Sequence, residues 1–457
     1  MAIHRFEIDL LLNWLTKKGR KPLIIRGARQ VGKSTLVREL ATLSKRFCFE
    51  LNFERNPDHA DFFKSKDPAA ILNLLSVHFN QSLDPNTSIL FLDEIQATPE
   101  IIETLRYFYE ECPELPVVAA GSLLDFVLGQ AEFSVPVGRI EYFYLGPLSF
   151  EDFLSSQGET ALLDWIRTVK LTDTIPAPIH QRCIELVKQF WLIGGMPEVV
   201  AHYAENHDFL EINNIKQNIL QGYQEDFHKY GRIKQIPLLR RTFNAIPSLI
   251  GEKVKYAQID STSKSSQVRE ALDYLNVAKV IHLIYHSHAT GLPLRAQIDS
   301  KIFKSIFLDI GLLCSALGLS HLSIIQAPDW AWINRGSLAE QFIGQILFHS
   351  YRPYQSPELY YWVRERAQSS AQVDYLWQYE NQIIPIEVKA GKTGRLKSLH
   401  YFIQEKQWPC GVRFNADVPS ILDETVKLPN HEEFSYRLLS LPFYLSGQLN
   451  RVLPEIL

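Results

Sequence analysis

The apolar run Leu23-Ile24-Ile25 leads almost directly into Gly27-Ala28-Arg29-Gln30-Val31-Gly32-Lys33-Ser34, which fits G-x-x-x-x-G-K-[ST] without a mismatch. A helix-forming stretch, Thr35–Leu43, follows. This strand–loop–helix context separates a phosphate-binding loop from a glycine-rich turn. The glycines let backbone N–H groups curl around phosphates, and the helix N-terminus adds positive potential. The expected nucleotide-binding set is therefore Gly27, Ala28, Arg29, Gln30, Val31, Gly32, Lys33, Ser34 and Thr35. Lys33 is expected to reach the β- and γ-phosphates of ATP, and the Ser34 hydroxyl to ligate Mg²⁺.

Residues 1–150 alternate short apolar runs with helical stretches, the pattern of a parallel α/β sheet. Candidate strands are Leu23–Ile25, Phe47–Asn52, Ile89–Leu92 and Val117–Ala120. Ile89–Leu92 ends in Asp93-Glu94, two carboxylates at the edge where such sheets bind ligands. Asp93 is expected to hold Mg²⁺, and Glu94 to deprotonate the attacking water. Ser122, at the tip of the next strand, could place a hydroxyl near the γ-phosphate, or simply belong to a small-residue turn. Arg139 reads either as an arginine finger, in its own site or a neighbour's, or as a surface arginine. The Arg29 side chain could face the nucleotide or turn from it.

Composition narrows the class. Charged residues are 21% and hydrophobic residues 46%, as in an ordinary globular chain rather than a disordered or collagen-like one. The net charge of −4 leaves no overall basic field, so nucleic acid would need a local patch. Five scattered cysteines without a CxxC pair argue against zinc and disulfides and fit a reducing cytoplasm. The N-terminal stripe is cut by Asp9, Asn13 and Lys17, and no run approaches a membrane span, so a cytoplasmic protein without membrane contact is expected.

A second constellation lies at 373–389. Two β-rich runs flank Glu380-Asn381, where asparagine tolerates the left-handed backbone of a two-residue turn. That turn sets Asp374 opposite Glu387, with Cβ atoms roughly 4.5–5.5 Å apart. Lys389 shares the face of Glu387 by period two. Two such carboxylates can hold Mg²⁺ or Mn²⁺, and a lysine can stabilise charge developing on phosphate. The other reading is an exposed cross-strand ion-pair ladder. Pro385 suggests an edge strand or bulge. Glu340, in the helix 336–349, could supply a third carboxylate.

Taken with GRIEYFYLGPLSFEDF (138–153), GGMPEVV (194–200), ALDYLNVAKVI (271–281), FLDIGLL (307–313) and RGSLAEQFIGQIL (335–347), these motifs resemble a prokaryotic family. It is the AAA-type, archaeal-ATPase-like P-loop ATPases fused to a C-terminal domain of unknown function. The resemblance implies an α/β P-loop domain (1–150), a helical lid or linker (151–234), a winged-helix-like domain (235–328) and an endonuclease-like α/β domain (329–457). The family's Asp…Glu-x-Lys signature falls on Asp374, Glu387 and Lys389, and its helix glutamate on Glu340. The chain departs at Gln372, where the family often carries glutamate. In the winged-helix segment Lys264, Arg269, Lys279, Arg295, Lys301 and Lys304 could hold DNA phosphates, or the module could dock a protein. The function implied is an ATP-hydrolysing, oligomeric switch or motor with a nuclease-like effector module acting on or near DNA. The rivals are a nucleotide-gated binding regulator with an inactive nuclease fold, and a signalling or toxin–antitoxin-like regulator with a tight protein partner.

Overall fold

A computed structural model describes residues 3–129, 136–230, 235–319, 336–350, 353–364, 370–391, 396–428 and 433–457. The four expected strands form as β1 (Leu23–Arg26), β2 (Phe47–Asn52), β3 (Ser88–Asp93) and β4 (Val117–Gly121). β3 and β4 are buried at every position, which is why they read as unbroken apolar runs. The pattern does not reveal a fifth strand, β5 (Glu141–Tyr144), because only Phe143 in it is buried. The order is β2-β3-β4-β1-β5, with every neighbouring pair parallel. The carboxyl ends of β1, β3 and β4 therefore lie side by side, the edge at which open α/β sheets bind ligands.

The helices that matter to the site are α1 (Glu7–Thr16), α2 (Lys33–Leu43), α3 (Ala177–Ile193), α4 (Pro197–Asn206) and α5 (Phe209–Tyr230). The break between α3 and α4 is the loop Gly194-Gly195-Met196. Its glycines have a physical cause. Gly194 has φ +79°, and a Cβ there would stand 2.1 Å from Asp309 Oδ1. The buried Asp309 carboxylate accepts from Gly195 N at 2.7 Å, Leu312 N at 3.0 Å and Gln345 Nε2 at 3.3 Å. Burial raises its pKa, and these donors oppose that shift. Asp309 thus ties the helical segment to the C-terminal half.

Further on lie α6 (Ser265–Val277), β6 (Ile281–Ser287), β7 (Ile298–Phe307), α7 (Ile310–Ala316), α8 (Gly336–His349), β8 (Tyr360–Arg364), β9 (Ala371–Tyr379) and β10 (Gln382–Val388). They are followed by α9 (Lys397–Lys406), β11 (Cys410–Asn415), β12 (Ser420–Lys427) and β13 (Glu433–Pro442). One eight-stranded sheet runs β12-β13-β11-β10-β9-β8-β6-β7. Two expectations change here. The hairpin expected as a wing, β6–β7, joins this sheet through Tyr285↔Tyr360, so strands from both sides of residue 328 share it. Pro385 is not on an edge, since β10 lies between β9 and β11. It is tolerated one residue before the β10–β11 ladder begins at Ile386↔Val412. The boundary at 150 falls at the start of the helix Phe150–Ser156, whereas those at 234 and 328 touch residues outside the described set.

Candidate functional site

The phosphate loop leaves β1 and enters α2 through Gly32, whose φ of +90° favours glycine. Gly27 has no room for a side chain, since a Cβ would stand 2.2 Å from Leu145 O. Lys33 is 7% exposed, and its Nζ donates to Ala28 O at 2.8 Å and Gly27 O at 3.1 Å. Burial pushes its ammonium down to about 8, against the pull of Glu94 and Asp93. Nucleotide phosphates would supply the anionic partner that favours its charged form.

Ser34 and Asp93, fifty-nine residues apart, meet at this edge: Ser34 Oγ donates to Asp93 Oδ1 at 3.0 Å. Asn52 Nδ2, from the end of β2, donates to Asp93 Oδ2 at 3.0 Å. Burial, then repulsion from Glu94, raises the Asp93 pKa. A hydroxyl and a carboxylate in contact beside an anion-binding loop are the hard oxygen donors that fit Mg²⁺. Glu94 sits at φ +52°, a conformation non-glycine residues seldom adopt, and its Oε2 accepts from Gln96 Nε2 at 2.5 Å. Ser122 is buried directly after β4, between the ends of β3 and β1.

The pocket over the loop encloses about 430 Å³. Gln30, Lys33, Ser34 and Glu94 line one part of it, and Ile3, Leu148, Pro197 and Ala201 give it an apolar wall. Three contacts were not legible in the sequence. Buried Arg5 donates to Val31 O at 2.6 Å and Gly146 O at 2.8 Å, bracing the loop from the N-terminal segment. Arg29 turns its guanidinium onto Asp226 of α5, so its side chain is held by the helical segment although it still lines the pocket. The Tyr223 hydroxyl donates to Arg29 O at 2.7 Å. These partners lie 26 to 197 residues from the loop, and no local pattern announces such pairings.

Arg139 lies away from its own phosphate loop. β5 pairs with β1 in parallel, Glu141 opposite Leu23, so Arg139 precedes the strand at the edge away from the phosphate loop. Four residues of strand at about 3.3 Å each separate it from that edge. Its Nε pairs with Glu110 Oε1 at 2.9 Å, and its side chain is 45% exposed.

In the C-terminal sheet the expected register holds from Gln382↔Tyr379 to Ile386↔Tyr375. The left-handed turn residue is Glu380, at φ +48°, rather than Asn381. Asp374 Oδ2 accepts from Val388 N at 2.8 Å, and Lys389 Nζ reaches Glu387 Oε1 at 2.5 Å. The ladder of exposed ion pairs is excluded, because Glu387 is only 4% exposed. Burial, then repulsion from Asp374, pushes the Glu387 pKa up. Gln372 pairs across to Val363 and donates to Gly251 O at 3.3 Å. Glu340, expected as a third carboxylate, pairs with the fully buried Lys304. Among the described residues, no three His, Cys, Asp or Glu side chains are placed to hold a metal ion.

Several basic residues proposed for DNA are engaged elsewhere. Lys304 is internal, Arg269 Nε pairs with Asp273 at 3.0 Å, Lys279 with Asp125 at 3.5 Å, and Arg295 with Glu358 at 2.6 Å. Among the described residues, no helix is long and apolar enough to cross a membrane.

The five-stranded parallel sheet and its loop are consistent with a P-loop NTPase, and residues 19–154 match the model of a family described as AAA domain. Residues 184–323 and 335–419 match two models described as domains of unknown function, DUF8612 and DUF4143. No curated protein matches the sequence. Among solved structures the chain is similar to the RuvB Holliday junction branch migration motor of Thermotoga maritima. That match has 16% identity, 61% of this chain and 89% of that one covered, and a TM-score of 0.29. The Aeropyrum pernix ORC1 protein, solved with DNA, matches at 12% identity, 70% and 93% coverage and a TM-score of 0.29. PCH-2 of C. elegans matches at 9% identity, with 44% of this chain covered and a TM-score of 0.26. The chain spans 62% of the length of that PCH-2 chain.

Proposed function

We propose that the chain is a Mg²⁺-dependent ATPase that works as a molecular switch or motor. One observation carries this reading: Lys33, the Ser34–Asp93 pair and Glu94 converge at the carboxyl edge of a parallel sheet. Backbone N–H groups from Gly27 to Thr35 hold the phosphates, and Lys33 neutralises their charge. Ser34 and Asp93 would hold Mg²⁺, and the charge stabilisation it would supply when bound is that of a divalent cation beside the phosphates. Glu94 takes the proton of the attacking water, and Ser122 offers its hydroxyl toward the γ-phosphate. The wall formed by Ile3, Leu148, Pro197 and Ala201 suits the apolar face of a base.

The four-part division at 150, 234 and 328 belongs to this proposal, with β6–β7 shared between the last two parts. The C-terminal module is read as a nuclease-like effector for DNA, holding a divalent ion between Asp374 and Glu387 with Lys389 beside it. A second reading, recognition of DNA or a partner protein without cleavage, is favoured by one observation: the third carboxylate, Glu340, is already paired.

Arg139 acts in trans in this account, so the active form is an oligomer. ATPase activity per chain should rise with protein concentration, and mixing Arg139→Ala with Lys33→Ala chains should restore part of the turnover each lacks. DNA should raise the plateau rate. Concentration-independent activity from a demonstrated monomer would contradict the shared site.

A further inference from the structure

The charge on Glu340 is answered from outside the C-terminal segment. Lys304, on β7, has no exposed side-chain surface and pairs with Glu340 Oε1. Its ammonium lies 4.3 Å from the ring centre of Tyr375 and 5.3 Å from that of Tyr361. Tyr375 donates its hydroxyl to Glu340 O at 2.9 Å, an approach that α8 permits because position 344 is glycine. A Cβ at Gly344 would stand 2.3 Å from that hydroxyl. The other carboxylate oxygen, Oε2, lies against Gly251, where a Cβ would stand 2.8 Å away. Glu340 is thus enclosed, with an ammonium on one oxygen and backbone near the other.

Glu387 is in the opposite position. Its Oε1 is taken by Lys389, whereas its Oε2 is buried without a hydrogen-bond partner. A buried carboxylate oxygen without a protein partner is costly, and a cation beside it would offset that cost. Asp374 lies beside Glu387 in the fold: its Oδ2 accepts from the N–H of the next residue, Val388, at 2.8 Å.

We infer that Lys304 stands where a cation would otherwise be needed at Glu340, so that the cluster takes one divalent ion, held by Asp374 and Glu387 Oε2 and not by Glu340. This rests on the metal-holding reading of the C-terminal site and adds to it a positioning residue from the neighbouring segment. An ammonium fixed beside Glu340 repels a second divalent ion there. It also makes the site dependent on β7, a strand that precedes the module in sequence.

Mn²⁺ titrated into the full chain without nucleotide tests this, with free Mn²⁺ followed by its paramagnetic resonance signal. Wild type should bind one ion that Glu387→Gln loses. Lys304→Met keeps a stem that packs on the two tyrosines but removes the ammonium. It should bind Mn²⁺ at least about tenfold more tightly or take a second ion, and adding Glu340→Gln should cancel that gain. The double variant, which removes both charges, should fold and keep the single ion. If Lys304→Met alone is unstable, Mn²⁺ should raise its melting temperature. Loss of the ion in the double variant, or no gain in a folded Lys304→Met, would overturn the inference. Binding by Lys304→Met but not by wild type would remove the native metal-holding reading and leave the role of Lys304 in place.

Discussion

Glu94→Gln should bind ATP with unchanged affinity while its turnover falls about 10²–10⁴-fold, the contribution of a positioned general base. The amide is nearly isosteric, so it disturbs neither the Ser34–Asp93 pair nor the loop, but it cannot accept the water's proton. Lys33→Ala should behave differently. It removes a charge-assisted partner of the phosphates worth about 1.5–3 kcal/mol, so ATP affinity should fall about 10–100-fold along with turnover. Isothermal titration with ATP, paired with steady-state phosphate release, separates the two variants. Equal losses of affinity in both would remove the division of labour between them.

Asp309→Ala should destabilise the protein by about 2–6 kcal/mol. Two buried backbone donors, Gly195 N and Leu312 N, lose their acceptor, at about 1–3 kcal/mol each. The cost is not recovered by relaxation, because Gly194 and Gly311 already bring the backbones together: a Cβ at Gly311 would stand 2.3 Å from Ile193 O. Asp309→Asn keeps one acceptor oxygen and should lose clearly less. Urea unfolding read by fluorescence checks both, as a shift in midpoint. An Asp309→Ala midpoint at the wild-type value would show that the tie between α3, α7 and α8 is not structural.

How much of this was legible in the sequence depends on the range of each signal. Gly27 to Ser34 is contiguous, and its loop, strand and helix follow from local chemistry. The turn at Glu380-Asn381 sets a register that the strands keep as far as Ile386↔Tyr375, the pair next to Asp374 and Glu387. Lys304 shows where such reasoning stops. Its neighbours in sequence give it the look of a surface cation, yet the pairing of β6 with β8 carries it into the interior. Pro385 is misleading for a related reason: its missing donor points to an edge or a bulge, whereas the adjacent ladder simply starts one residue later. Arg5, Tyr223 and Asp226 carried no signal at all, because each acts on the loop only through the folded chain. Arg139 is legible as a candidate finger, but only the direction of β5 sets it away from its own phosphate loop.

The most direct measurement is phosphate release from ATP by the wild-type chain, with Mg²⁺ and with the ion chelated, while ATP binding is followed in parallel. One ATP should bind per chain, and steady release should need Mg²⁺ and disappear with Glu94→Gln. ATP held at one per chain without Mg²⁺-dependent release, at any protein concentration and with or without DNA, would contradict the ATPase reading.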